Sequence, residues 1–167
     1  TFLFAKGKNI GASLAEKDLA EEARTVIEQI ELRGGQISLP KDVVCATAFR
    51  QDAVATRKHV DDLNDNDLIL DFGSETMGEI ASIIKEAGTI VWNGPLGVFE
   101  FDQFSEGTRA LSNAVSQSAA FSIAGGGDTI AAINKFGVTD KIDYISTAGG
   151  AFLEFLEGKA LPALEIT

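Results

Sequence analysis

Cysteine and histidine, which build disulfides and many metal sites, are nearly absent from this sequence. Its 167 residues include one histidine, His59, and one cysteine, Cys45. No disulfide can form within the chain, and no Cys/His cluster suggests zinc. Cys45 follows two valines in an apolar run, which indicates a buried structural thiol, and His59 lies in a polar stretch typical of the surface. A Ser-His-Asp triad has no support, and we expect a reducing cytoplasm.

Long apolar runs and positive charge are also scarce. No stretch approaches the roughly 20 apolar residues that a membrane-spanning helix needs. The 25 acidic residues outnumber the 14 basic ones and give a formal net charge of -11. Such a surface repels phosphate backbones, so we expect no nucleic-acid partner, and we expect no membrane partner either. Any phosphate site must use backbone N–H groups and a metal ion, or cations from elsewhere.

Two familiar nucleotide-binding patterns are missing as well, and a third is matched only in part. No Gly-x-x-x-x-Gly-Lys segment precedes a helix, and no Gly-x-Gly-x-x-Gly segment occurs, so neither a P-loop nor a dinucleotide-binding loop is supported. Asp71, Phe72 and Gly73 match the metal-binding triplet of protein kinases. The other kinase motifs do not accompany that triplet, so we interpret the match as coincidence.

Short apolar runs alternate with helical patterns along the chain. The runs are continuously apolar, which is typical of strands covered on both faces, and they occupy residues 43–46, 68–71, 89–92, 121–124 and 144–147. Amphipathic spacing between them predicts helices, with an N-cap and capping box at Ser74, Thr76 and Glu79. We predict one α/β domain over residues 1–167, a three-layer αβα Rossmann-like domain with a parallel sheet. Residues 36–39 suggest a further short strand, and residues 49–67 a loop excursion with an antiparallel hairpin.

Small or unusual residues follow four of the predicted strands. Ligands of open α/β sheets bind beyond the carboxyl ends of the strands, so these loops make a plausible site. In one of them, three glycines at 125–127 let the backbone approach a ligand, and the next helix points its N-terminus at an anion such as phosphate. A carboxylate beside phosphates is suited to bind Mg²⁺, so Asp128 is a candidate ligand of that ion. The alternative is that Asp128 only caps the helix and the glycines only form a turn.

A second loop combines Asn93, Gly94 and Pro95 with Glu100. A carboxylate at this position can accept both hydroxyls of a ribose. The alternative is that Glu100 is simply an exposed surface residue.

Taken together and in order, these pieces resemble phosphoglycerate kinases. The family's signature segments match residues 91–100 (Val-Trp-Asn-Gly-Pro-Leu-Gly-Val-Phe-Glu), 125–129 (Gly-Gly-Gly-Asp-Thr), 145–151 and the tail at 153–162. The likeness extends from residue 1 to about residue 162, and the block at 91–100 is highly specific. The variant resembles the bacterial form.

The resemblance implies an enzyme that transfers a phosphoryl group between 1,3-bisphosphoglycerate and ADP, giving 3-phosphoglycerate and ATP. It implies Mg²⁺, carried as MgADP or MgATP and bound by Asp128. By the same resemblance, the backbone amides that face the phosphates and stabilise the transferring group belong to four glycines and a threonine: Gly126, Gly127, Gly149, Gly150 and Thr129. The residues implied for the nucleoside are Leu14 and Leu70 beside the adenine, Glu100 on the ribose, and Asn93, Pro95 and Val98 as further lining.

Two departures from the family pattern stand out. Ala148 occupies a position where the family usually has glycine. By the same resemblance, the chain is expected to be truncated at both ends: it lacks the N-terminal domain that holds the sugar phosphate and the lysine-bearing start of the nucleotide-binding domain. We therefore expect this fragment to be inactive alone and its parent to be a monomer. There are two alternatives: a nucleotide-binding module without catalysis, and a purely structural α/β domain. The combination of residues 93–100 with residues 125–128 argues against the structural alternative.

Overall fold

The computed structural model describes residues 1–147, 153–154 and 157–159. Gly149, Gly150 and the Ala148 departure lie outside the described residues. The chain forms two compact units. The first comprises Thr1–Ile80 and Leu96–Gly107, and the second comprises Ala81–Pro95 and the described residues from Thr108 onward.

The first unit begins with two helices that share an apolar contact. Helix α1 spans Phe2–Ala5 and helix α2 spans Ala20–Leu32. The buried residues of α2 recur at helical spacing, as predicted, because Ala20, Ala23 and Ile27 lie on one face. Ala20 and Ala23 pack with Ala5 of α1, and the phenyl rings of α1 border this cluster.

A three-stranded sheet follows, in the order β2-β1-β3, with ranges Asp42–Ala46 for β1, Thr56–His59 for β2 and Leu68–Phe72 for β3. Both pairings are antiparallel. Residues 49–67, predicted as a loop excursion with an antiparallel hairpin, contain only one strand, β2, and its antiparallel partner β1 lies before this segment. The prediction that all the strands run parallel is wrong for β1 and β3, because the chain between them holds a strand and a short turn instead of the crossover helix that a parallel pair needs.

Helix α3 spans Ser74–Glu86 and takes its cap from β1. The carboxylate of Asp42 accepts hydrogen bonds from the backbone N–H groups of Glu75, at 3.2 Å, and Thr76, at 2.8 Å. The predicted capping box is therefore wrong: Thr76 lies inside the helix with its hydroxyl 2.7 Å from Asp42, and Glu79 pairs with Lys41.

The second unit carries a parallel sheet in the order β4-β5-β6, with ranges Thr89–Trp92, Phe121–Gly125 and Tyr144–Ser146. Helix α4, Glu106–Gln117, lies between β4 and β5 in sequence, and helix α5, Gly127–Phe136, lies between β5 and β6. Helices thus alternate with parallel strands, which confirms the predicted α/β, Rossmann-like class.

Residues 36–39 form no strand, contrary to the sequence prediction. A strand needs a hydrogen-bonded neighbour, and no described strand pairs with this segment. Among the described residues, no helix is long and apolar enough to cross a membrane.

Candidate functional site

In the second unit, the turn after β4 is fastened to the start of helix α5. The backbone N–H of Gly94 donates a 2.7 Å hydrogen bond to the buried hydroxyl of Thr129. On the other side of the turn, the Trp92 indole donates to the Gly94 carbonyl at 2.9 Å. Two of the loops that the sequence analysis selected, residues 93–95 and 125–129, are therefore brought together.

Gly126 occupies a position that only glycine fills without strain. Its φ is +97°, and a Cβ there would lie 3.0 Å from the side-chain oxygen of Asn93. It is the N-cap of α5 and, as a glycine, has no side chain that could accept hydrogen bonds from the first N–H groups of the helix. The first N–H groups of a helix have no intrahelical partner, so this end of α5 presents donors and a positive dipole.

Asp128 lies in the first turn of α5 and is exposed. Its carboxylate forms no hydrogen bond or ion pair with any residue in the described part of the chain, so the structure gives no support to the capping alternative. No group of three or more His, Cys, Asp or Glu that could hold a metal occurs among the described residues. A cation at Asp128 would therefore need most of its ligands from phosphate oxygens and water, which is how proteins commonly hold Mg²⁺.

In the first unit, the segment Leu96–Gly107 is anchored on β3. The Val98 N–H donates to the Leu70 carbonyl at 2.8 Å, and Phe104 is fully buried beside Leu70. The predicted nucleoside residues Leu70 and Val98 thus meet, but the Leu70 side chain is part of the core. Glu100 is exposed on this segment and has no side-chain partner within the described chain.

Leu14 is fully exposed at the rim of an apolar cavity of about 320 Å³ in the first unit. The lining includes Phe2, Ile10, Pro40 and Ile69. A cavity of this size and lining can take a flat aromatic ring.

Asp71 is the residue whose importance the sequence analysis missed. It follows the apolar part of β3 and is almost completely buried. Its Oδ1 accepts a hydrogen bond from the Phe72 N–H and its Oδ2 accepts one from the Gly107 N–H, both at 2.8 Å. Burial, with help from the Glu106 charge, raises the pKa of Asp71 to about 6, although those N–H groups oppose the shift. An acidic residue at the end of an apolar strand was the available signal.

The two single residues noted in the sequence also have defined places. Cys45 is a free, fully buried thiol, as predicted, and burial raises its pKa to about 11. His59 is exposed, also as predicted, and its Nδ1 accepts a hydrogen bond from the Asp61 N–H at 3.3 Å. Neither residue contributes to the candidate site.

Comparison with known proteins agrees with these motifs. The family model for phosphoglycerate kinase matches residues 1–159. The solved structure of phosphoglycerate kinase from Coxiella burnetii is similar with a TM-score of 0.95 and 51% identity, over 99% of this chain and 43% of that one. The crystal structure of phosphoglycerate kinase from Pyrococcus horikoshii OT3 is similar with a TM-score of 0.81 and 32% sequence identity. The match covers 98% of this chain and 41% of that one. The chain spans less than half the length of these kinases, and it belongs to the phosphoglycerate kinase family.

Proposed function

We propose that residues 1–167 are the C-terminal, nucleotide-binding domain of a phosphoglycerate kinase of bacterial type. The enzyme would transfer a phosphoryl group between 1,3-bisphosphoglycerate and ADP, giving 3-phosphoglycerate and ATP in glycolysis. The observation that carries the proposal is the 2.7 Å hydrogen bond from Gly94 to Thr129, which fastens the family's Asn-Gly-Pro turn to its Gly-Gly-Gly-Asp-Thr loop.

The start of α5 is the proposed phosphate site. Backbone amides of Gly126, Gly127 and Thr129 would donate to phosphate oxygens, assisted by Gly149 and Gly150 of the later glycine loop. Because the chain is strongly acidic, oriented N–H groups supply the positive potential that side chains here do not. Asp128 would hold Mg²⁺ carried in with the nucleotide, and that ion supplies charge neutralisation on the phosphate oxygens. The unpaired, exposed carboxylate of Asp128 fits this role.

The nucleoside contacts are proposed for residues that the family resemblance identifies. Leu14 and Leu70 would flank the adenine, Asn93, Pro95 and Val98 would line the nucleoside, and Glu100 would accept the ribose hydroxyls. The exposure of Leu14 beside an apolar cavity and the unpaired carboxylate of Glu100 support these assignments. The Leu70 side chain is buried, so only a small part of it would be available to contact the base.

The triose-phosphate substrates would bind a domain outside these 167 residues. The chain covers only 43% and 41% of the two matched kinases, which leaves room for such a domain in the whole enzyme. Phosphoryl transfer depends on positioning both reactants, so we propose that residues 1–167 alone bind nucleotide but do not turn over. We further propose a monomeric parent that acts in the cytoplasm without nucleic-acid or membrane partners.

The decisive experiment concerns Asp128. Calorimetric titration of the polypeptide that carries these residues should show that Asp128→Ala weakens MgADP binding about tenfold or more, ~1.4 kcal/mol. Binding of ADP in the presence of a chelator should not weaken. Asp140→Ala, another exposed acid of the second unit, is the matched control and should behave like wild type. Equal MgADP affinities for Asp128→Ala and wild type would remove Asp128 from the metal role.

A further inference from the structure

The two leucines proposed to flank the adenine lie beside the two ends of one hydrogen bond. The backbone N–H of Ile69, which directly precedes Leu70 in β3, donates to the hydroxyl of Ser13 at 2.9 Å. Ser13 in turn directly precedes Leu14. A single side chain therefore joins the loop that carries one leucine to the strand that carries the other.

The same loop also packs against the backbone at the start of β3. The Ala12 N–H donates to the Asp67 carbonyl at 2.9 Å. Gly11 has φ +57°, and a Cβ there would lie only 2.4 Å from that carbonyl oxygen. The Ser13 bond comes after these contacts along the loop, so it is the attachment nearest to Leu14.

Leu14 has little packing of its own to fix its position. Its side chain is fully exposed, so burial of apolar surface does not hold it in place. Its position therefore depends on the backbone that carries it. On the strand side, the Leu70 carbonyl accepts the Val98 N–H at 2.8 Å. β3 thus supports both segments that are proposed to line the nucleoside, and the Ser13 hydroxyl attaches the Leu14 loop to that support.

We propose that Ser13 is a positioning residue for the nucleobase: its hydroxyl holds Leu14 at a fixed distance from β3 and so sets the slot for a flat ring. The inference rests on the proposed nucleotide-binding function. A slot that is formed in advance lets the base bind without first ordering the loop, and this avoids an entropic cost. The phosphate site proposed at the start of α5 shares no residue with this loop. Only ligands that carry a base should therefore depend on the Ser13 bond.

Titration of the full-length polypeptide with two magnesium-bound ligands tests the proposal. The ligands are ADP and ribose 5-diphosphate, in which a hydroxyl replaces the adenine. Ser13→Ala should weaken ADP binding about three- to tenfold, as expected for one hydrogen bond, and should leave ribose 5-diphosphate within about twofold of wild type. Ser13→Thr keeps the hydroxyl and should bind ADP more tightly than Ser13→Ala does. Unchanged ADP affinity in Ser13→Ala, or equal weakening of both ligands, would overturn the proposal.

Ser118→Ala is the matched control for a general loss of stability. Ser118 is half-buried like Ser13, and its hydroxyl also accepts a backbone N–H, from Ala120 at 3.1 Å. The variant should lower the midpoint of urea unfolding at least as much as Ser13→Ala and yet bind ADP like wild type. Equal weakening of ADP by the two variants would attribute the effect to stability and overturn the positioning role.

The same titrations separate this inference from the proposed function. A wild-type polypeptide that binds neither ligand would refute the proposed function, and the inference with it. Wild-type binding of MgADP that Ser13→Ala leaves unchanged would refute the inference alone.

Discussion

The Gly107 backbone N–H donates a 2.8 Å hydrogen bond to the buried carboxylate of Asp71. This bond closes the segment Leu96–Gly107 onto β3 at its far end, while the bond from Val98 to the Leu70 carbonyl closes its near end. Glu100 lies between the two attachments. Asp71 is therefore a positioning residue for the segment that carries the proposed ribose ligand.

Asp71 should make the chain less stable as the pH rises. Its pKa of about 6 in the folded state lies above the value of about 3.9 for an unfolded aspartate, so the folded state binds the proton more tightly. The resulting stabilisation is complete below about pH 4 and is lost as the pH rises through 6, on the order of 2–3 kcal/mol. Asp71→Asn removes the titrating group. The free energy of unfolding of the variant, relative to that of wild type, should therefore increase by that amount between pH 4 and pH 7.

Chemical denaturation at four pH values measures this difference. Asp65→Asn, an exposed acid in the same unit, should keep a constant offset from wild type. Parallel curves for Asp71→Asn and wild type would contradict the prediction.

Two glycines of the first unit should respond to alanine in opposite directions. Gly97 has φ +61°, and a Cβ there would overlap the Leu70 carbonyl and Asp71, so Gly97→Ala should cost about 2–3 kcal/mol or more. Gly78 lies within α3 with open space at its Cβ position. Gly78→Ala should therefore stabilise by about 0.5–1 kcal/mol. Thermal unfolding of the two variants measures both effects, and a loss of stability in Gly78→Ala would show that its site is not open.

Removing the Asp42 carboxylate should uncap α3. Asp42→Ala leaves the Glu75 and Thr76 N–H groups without their acceptor, at a cost of roughly 2 kcal/mol. Burial alone would raise the pKa of Asp42, but hydrogen bonds from Thr76 and Glu75, with the Arg57 charge, lower it. The stabilisation is thus present above about pH 4 and fades as the pH falls through the lowered pKa. Urea unfolding at pH 7 measures the cost, with Asp65→Ala as control; identical midpoints for both would count against the cap.

Glu100→Gln tests the ribose assignment. If the carboxylate accepts both ribose hydroxyls, the variant should discriminate less between ADP and 2′-deoxy-ADP, by up to roughly 1.5–3 kcal/mol in relative affinity. Glu28→Gln, an exposed residue of α2, is the matched control. The ratio of the two affinities, measured by calorimetry, is the readout. A ratio that does not change in Glu100→Gln would rule out the ribose contact.

Local pattern was enough to predict most strands and helices of this chain. The apolar run at 89–92 coincides with β4. Each of the other four runs differs from its observed strand by one residue at one end. The direction of β1 against β3 was not predictable, because it depends on how residues 47–67 return across the sheet. The cap of α3 was missed because Asp42 is 34 residues from Thr76.

The candidate site likewise combines loops that could be predicted from the sequence with tertiary contacts that could not. The loops at 93–95 and 125–129 were identified from their residues, and their attachment through Thr129 is a tertiary contact that no local pattern records. Asp71 was visible as an acid after an apolar strand, but its burial depends on the return of Gly107, 36 residues later. The metal, ribose and adenine assignments stay predictions.

The cap that β1 gives to α3 also bears on the order of events in folding. A helix with its own capping residue can begin from local contacts within about a microsecond. The first turn of α3 instead waits for a chain segment 34 residues away to close, which carries a loop-closure entropy and raises the contact order of the first unit. The capped first turn of α3 is therefore coupled to the docking of β1, whereas the later turns of the helix depend on contacts nearer in the sequence.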